Sequence, residues 1–146
     1  EEILCKENAY KKELESLPSF SVEQCFEASL KIIGEHELHL TEEFLKLLKP
    51  LEKKEELKII GKKDTEMRTG VVSIQTLTRE LSDTAFQLDT RYGIMTRVGL
   101  HCAPSAHKTM GTYPTGTIRF SFGFANTDKE VKLAIDALKE LLEEEK

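Results

Sequence analysis

The sequence predicts an α+β domain: a small antiparallel or mixed sheet of about four strands, with helices packed mainly on one face. Three observations carry that prediction. Apolar residues recur at helical spacing over residues 22–48 and again over 131–142. Between them lie short runs bounded by glycines and charged turns, with no long crossover connections. The resulting order, α-α-β-β-α-β-loop-β-α, suits a hairpin-built sheet layered against helices.

Ile3, Tyr10, Leu14 and Leu17 place a helical stripe near the start, and Pro18 ends it. Residues 1–20 are therefore an N-terminal helical segment ahead of a principal domain over residues 21–146. Ser21-Val-Glu-Gln24 reads as a capping box, with Phe20 placed to staple onto Cys25. Val22, Phe26, Leu30, Ile33, Leu40, Phe44 and Leu48 then predict a long amphipathic helix, or two broken near Gly34, ending before Pro50. The charged run 52–56 reads as a solvated turn. Residues 57–61 and 70–76 read as the strands of a hairpin, joined by the polar stretch 62–69.

Leu77, Leu81, Ala85 and Leu88 restore helical spacing, and Gly93 supplies a left-handed C-cap. A strand follows over residues 94–98. In the next strand Ile118, Phe120 and Phe122 face one way, while Thr117, Arg119 and Ser121 face the other. Thr127-Asp-Lys-Glu130 is a second capping box. It opens a last helix that buries Val131, Ala134, Ile135, Leu138, Leu141 and Leu142.

Composition narrows the function classes. The chain has 146 residues, enough for one domain with a real core, and is 39% hydrophobic and 32% charged. Its 21 basic and 26 acidic residues give a net charge of −5, which argues against nucleic acid or anionic membrane as partner. No apolar stretch approaches the roughly 20 residues of a membrane span. Three cysteines, Cys5, Cys25 and Cys102, form no disulfide framework, which points to a reducing cytoplasm. The chain starts Glu1-Glu-Ile-Leu without an initiator Met, as a piece of a longer polypeptide would.

The chemistry concentrates in one loop. Cys102 lies in Arg97-Val-Gly-Leu-His-Cys102-Ala-Pro, and Arg119 follows in Thr117-Ile-Arg-Phe-Ser-Phe. A thiolate is the nucleophilic form of cysteine, and cations such as Arg97, His101 and Arg119 favour it. Gly99 and Pro104 bound a loop that holds the thiol outward. The alternative reading is a cysteine buried in a turn, and that is the reading for Cys5 and Cys25, on apolar helix faces. Arg119 has two readings: a bidentate partner for a small substrate's carboxylate, or a structural ion pair. Arg97 is either loop-anchoring or anion-facing. His101, Cys102 and His107 lack the further ligands that zinc takes, so no metal site is expected.

The runs Arg97 to Thr109, Gly116-Thr-Ile-Arg119-Phe-Ser-Phe-Gly and Asn126-Thr127 resemble the C-terminal segment of the SufS-like (group II) cysteine desulfurases and selenocysteine lyases. These belong to the class V aminotransferase group of fold-type-I pyridoxal-phosphate enzymes. The resemblance is close from the cysteine loop to the last helix and looser back to Ser21. It implies a small domain in which Cys102 attacks the sulfur of a cysteine bound to the cofactor; alanine leaves and a persulfide stays on Cys102. It implies that Arg119 holds the substrate carboxylate, that Arg97 is a second substrate-binding arginine, and that His101 supports the loop.

It further implies a homodimeric parent, pyridoxal phosphate in that parent, and a sulfur-acceptor protein. No cofactor-binding residue is expected in this chain, because the resemblance places the cofactor's lysine and its other holders in a large domain that does not fit here. Ser105-Ala-His107-Lys108 imitates the cofactor-lysine signature but follows the cysteine loop, so Lys108 is read as a surface lysine. The isolated chain is expected to be catalytically silent. Two other readings are a stand-alone persulfide carrier and a non-enzymatic interaction module.

Overall fold

The computed structural model describes residues 21–144. The helical stripe assigned to residues 1–17, the Phe20 staple and Cys5 lie outside them. Helix α1 spans Val22–Lys53, followed by strands β1 (Leu57–Ile60) and β2 (Val71–Thr76) and helix α2 (Leu81–Tyr92). Strand β3 (Arg97–Gly99), helix α3 (Pro104–Met110), strand β4 (Thr117–Ser121) and helix α4 (Asp128–Glu143) complete the order. The sheet runs β1-β2-β4-β3 and every pairing is antiparallel. The expected α+β layer is thus the observed one.

One face of the sheet makes the core. Leu57, Ile59, Val72, Ile74, Ile118 and Phe120 pack with Leu40, Phe44, Leu45, Leu48 and Leu51 of α1, Leu81 and Leu88 of α2, and the predicted stripe of α4. Phe44 anchors the contact, its ring 4.9 Å from Phe120 and 5.1 Å from Phe122. Helix α3 contributes no residue to this cluster.

Both capping boxes form. Ser21 and Thr127 accept from the backbone N–H groups of Gln24 and Glu130, whose side chains accept in return from the cap backbones. Gly93 takes the left-handed conformation at the end of α2, with φ of 67°.

Several expectations are corrected. α1 is unbroken at Gly34 and runs through Pro50 to Lys53. Buried Leu48 and Leu51 hold that last turn against the core, and the Pro50 carbonyl accepts from Lys54; packing overrides the helix-ending tendency of proline. Glu52 and Lys53 consequently belong to the helix, and Glu56 is buried rather than solvated. Only the C-terminal part of the α1 stripe is covered: Val22, Phe26 and Leu30 are 89%, 63% and 53% exposed. Cys25, on the same uncovered part, is exposed too, against the expectation of burial.

Leu77 precedes α2 and is exposed; its N–H donates to Glu56 O at 2.9 Å. Strand β3 begins at Arg97 rather than at residue 94, because the Ile94 N–H is spent on the Leu88 carbonyl in the helix cap. Helix α3, in a stretch to which the sequence assigned only a loop, forms with Pro104 at its start and Gly111 as its left-handed C-cap.

Candidate active site

The other face of the sheet holds the candidate site. Pairing places Ile60, Ser73, Arg119 and Arg97 in one row across four strands. The neighbouring row is Lys58, Gln75, Thr117 and Gly99. No carboxylate lies in either row, and among the described residues neither Arg97 nor Arg119 makes an ion pair with an acid. Like charges directly opposite across an antiparallel pair repel. Arg119 Nε is buried and has no partner among the described residues. The structural ion-pair reading of Arg119 finds no acid to support it.

Cys102 is exposed, and Arg97 Nη2 donates to its Sγ at 3.7 Å. The backbone explains the presentation. His101 and Cys102 take φ of 50° and 60°, and Ala103 N–H closes the turn on Leu100 O at 2.8 Å. Two positive φ angles at the centre of a four-residue turn are the signs of a type I′ turn, which favours Asn and Gly. His-Cys there costs about 1–2 kcal/mol per residue, and the turn holds the thiol away from the core. Such strain is characteristic of functional loops.

His101 braces the turn. Its Nε2 meets Thr117 Oγ1 at 3.0 Å, while its Nδ1 is buried without a partner among the described residues. Burial lowers the pKa of this imidazole, and the electrostatic influence of Arg119, His107 and Arg97 lowers it further. Both effects favour the neutral ring. His107, buried, sits 5.6 Å from the His101 ring and binds Thr112 Oγ1 through Nδ1 at 2.7 Å. Sequence reasoning gave it no structural role, though Thr112 five residues on was the available cue. Among the described residues no group of three or more His, Cys, Asp or Glu is placed to hold a metal.

The structure thus brings together all four residues selected from the sequence: Cys102, Arg97, Arg119 and His101. An exposed sulfur with a guanidinium on it, next to a second guanidinium lacking a counter-ion, suits nucleophilic sulfur chemistry on an anionic substrate. A separate depression of about 380 Å³ between α1 and α4 is lined by His39, Glu43, Leu47 and Lys132 among others, and contains no thiol.

The family model for aminotransferase class-V matches residues 21–133. The chain belongs to that family. It is 32% identical over 116 residues to a probable cysteine desulfurase of Aeropyrum pernix, covering 80% of this chain and 28% of that protein. A probable cysteine desulfurase of Methanothermobacter thermautotrophicus is 36% identical over 73 residues, or 49% of this chain and 18% of that protein. The apo structure of a cysteine desulfurase from Thermococcus onnurineus superposes with a TM-score of 0.69 at 30% identity, covering 77% of this chain and 26% of that one. The cysteine desulfurase CsdA of Escherichia coli shares the fold, with a TM-score of 0.60 at 22% identity over 75% of this chain and 26% of that one. This class-V aminotransferase chain is therefore a homologue of cysteine desulfurases and spans about a quarter of their length.

The family implies pyridoxal phosphate in the parent protein. Holding it takes a lysine for its aldehyde and an acid or similar partner for its ring nitrogen. The open sheet face does not fit that need. Lys58 stands on the far edge strand β1, Lys108 Nζ lies 5.1 Å over the Tyr113 ring, and the face carries no acid. These residues suit a substrate's anionic and sulfur ends rather than the cofactor's aldehyde and ring nitrogen.

Proposed function

We propose that residues 21–146 are the C-terminal small domain of a SufS-like (group II) cysteine desulfurase or selenocysteine lyase. Cys102 is its persulfide-forming nucleophile, Arg119 receives the substrate carboxylate, Arg97 stabilises charge on the sulfur, and His101 sets the loop. The observation that carries this reading is the exposed Cys102 Sγ accepting from Arg97 Nη2, with Arg119 directly across the β3–β4 ladder.

In this reading Arg119 orients the substrate through its carboxylate, and the Cys102 sulfur forms the new S–S bond. Cleavage of the carbon–sulfur bond is chemistry that this chain does not supply; it belongs to pyridoxal phosphate held elsewhere in a homodimeric, cytoplasmic parent. The persulfide then passes to a sulfur-acceptor protein. Incubated with pyridoxal phosphate and cysteine, the 146-residue chain is expected to release no sulfide or alanine above a cofactor-only control. In the full-length parent, Cys102→Ser is expected to abolish persulfide formation while cofactor absorbance is retained. Persulfide on another residue of that variant overturns the assignment.

A second reading, a stand-alone persulfide carrier, is favoured by one feature: the thiol is exposed in this chain by itself.

A further inference from the structure

We propose that Cys102 takes sulfane sulfur directly from thiosulfate, an inorganic dianion, in a reaction that this chain carries out without a cofactor. The inference rests on the reading of Cys102 as a sulfur acceptor and names a second class of donor for it.

Charge is the first argument. Arg97 and Arg119 are cross-strand neighbours on the open face, with no carboxylate in their row or the next. A zwitterionic amino acid brings one carboxylate and no net charge, so it leaves the pair under-compensated. Thiosulfate brings two negative charges and three oxygens on one sulfur, a shape that guanidinium forks grip with charge-assisted hydrogen bonds. Arg119 itself is only partly buried, its Nε has no partner among the described residues, and Ser73 adjoins it in the same row.

Presentation is the second. The nucleophile and the dianion repel, and only a site with cations on both can bring them together. Arg97 already touches Cys102 Sγ at 3.7 Å, and the left-handed turn keeps the thiol exposed.

The step balances. The Cys102 thiolate attacks the outer sulfur of thiosulfate, one S–S bond forms, and the S–S bond of the donor breaks. Its electron pair leaves with the sulfonyl group as sulfite. Three negative charges enter and three remain, one on the Cys102 persulfide and two on sulfite. No outside oxidant or reductant takes part.

Cys25 is an internal control: it is exposed like Cys102, but its hydrogen bonds are backbone ones, with its N–H donating to Ser21 O and its carbonyl accepting from the Ser29 hydroxyl. The test incubates the 146-residue chain with thiosulfate. It then reads the mass of each cysteine peptide, the sulfite released, and the thiocyanate formed when cyanide discharges the product. One added sulfur on Cys102, with stoichiometric sulfite, is the expected result. Arg119→Met is expected to slow loading by about tenfold or more, while alkylation of Cys102 by iodoacetamide at a pH high enough to ionise the thiol fully in both chains, which reports an intact loop, stays unchanged. Equal loading of Cys25, or loading indifferent to Arg119, overturns the proposal. If thiosulfate fails but cysteine persulfide loads Cys102, the thiosulfate inference falls and the acceptor role stands. If neither donor loads it, both fall.

Discussion

Gly116 stands so close to Gly99 that a Cβ on Gly116 would lie 2.3 Å from the Gly99 carbonyl carbon and oxygen. The two residues close the neck of the cysteine loop, where β3 hands over to the turn and β4 begins. Gly116 also has φ of 83°, a conformation that costs an L-residue. Gly116→Ala is therefore expected to lose about 1–3 kcal/mol of stability. Gly34→Ala is its counterpart: nothing lies within 4 Å of that Cβ, and the position is mid-helix. It is expected to gain about 0.5–1 kcal/mol. Urea unfolding of both variants checks the pair, and equal midpoints would contradict the close approach.

Arg119→Met separates function from stability. Removing one of two opposed guanidiniums relieves repulsion, so the variant is expected to gain about 0.2–1 kcal/mol in urea unfolding. In the full-length parent the same change is expected to raise KM for cysteine about tenfold or more, the loss of a charge-assisted pair. A structural ion pair at Arg119 predicts the reverse on the first measurement: a loss of stability.

The strong local signals were legible because their physics is local. Ser21 and Thr127 announce caps within four residues, and alternation in Thr117 to Phe122 fixes which side chains share a face with Arg119. The proximity of the candidate residues was legible for the same reason, since Arg97 and Cys102 lie five residues apart and the strand pairing supplies Arg119. What a stripe packs against is not local. Val22, Phe26 and Leu30 carry the same periodicity as Leu40 and Phe44, yet only the latter meet the sheet. Helix α3 has its Pro104 and Gly111 signals, but seven residues are too few to show a period. The left-handed pair His101–Cys102 was invisible because such turns are usually advertised by Asn-Gly.

His101 makes the folded chain acid-sensitive. Its pKa is depressed by burial first and then by Arg119, His107 and Arg97, so the unfolded chain binds that proton more readily. The sign follows: the penalty is absent well above about pH 6.5 and grows as pH falls below it, toward the depressed folded value. His101→Asn removes this titration and suits the left-handed conformation. The stability of the variant relative to the parent chain is expected to rise as pH drops from about 7 to about 5. Thermal unfolding of the two chains side by side measures it; His36, His39 and His107 are common to both. A constant difference across that range would contradict the assignment.

Phe44 and Phe26 lie on one helical stripe eighteen residues apart, and the structure gives them opposite fates. Phe44 is fully buried between Phe120 and Phe122, under the strand that carries Arg119. Phe44→Ala removes that packing and leaves a cavity, so about 3–5 kcal/mol is expected to be lost. Phe26 is 63% exposed and has no place in the core cluster. Phe26→Ala, at a helical position where alanine is the better former, is expected to change stability by no more than about 0.5 kcal/mol. The contrast also bears on the site, because a collapsed β4 would move Arg119 relative to Arg97. Iodoacetamide labelling of Cys102 should therefore change in Phe44→Ala and remain as it was in Phe26→Ala. Similar losses from both variants in urea unfolding would show that the start of α1 packs against the sheet after all.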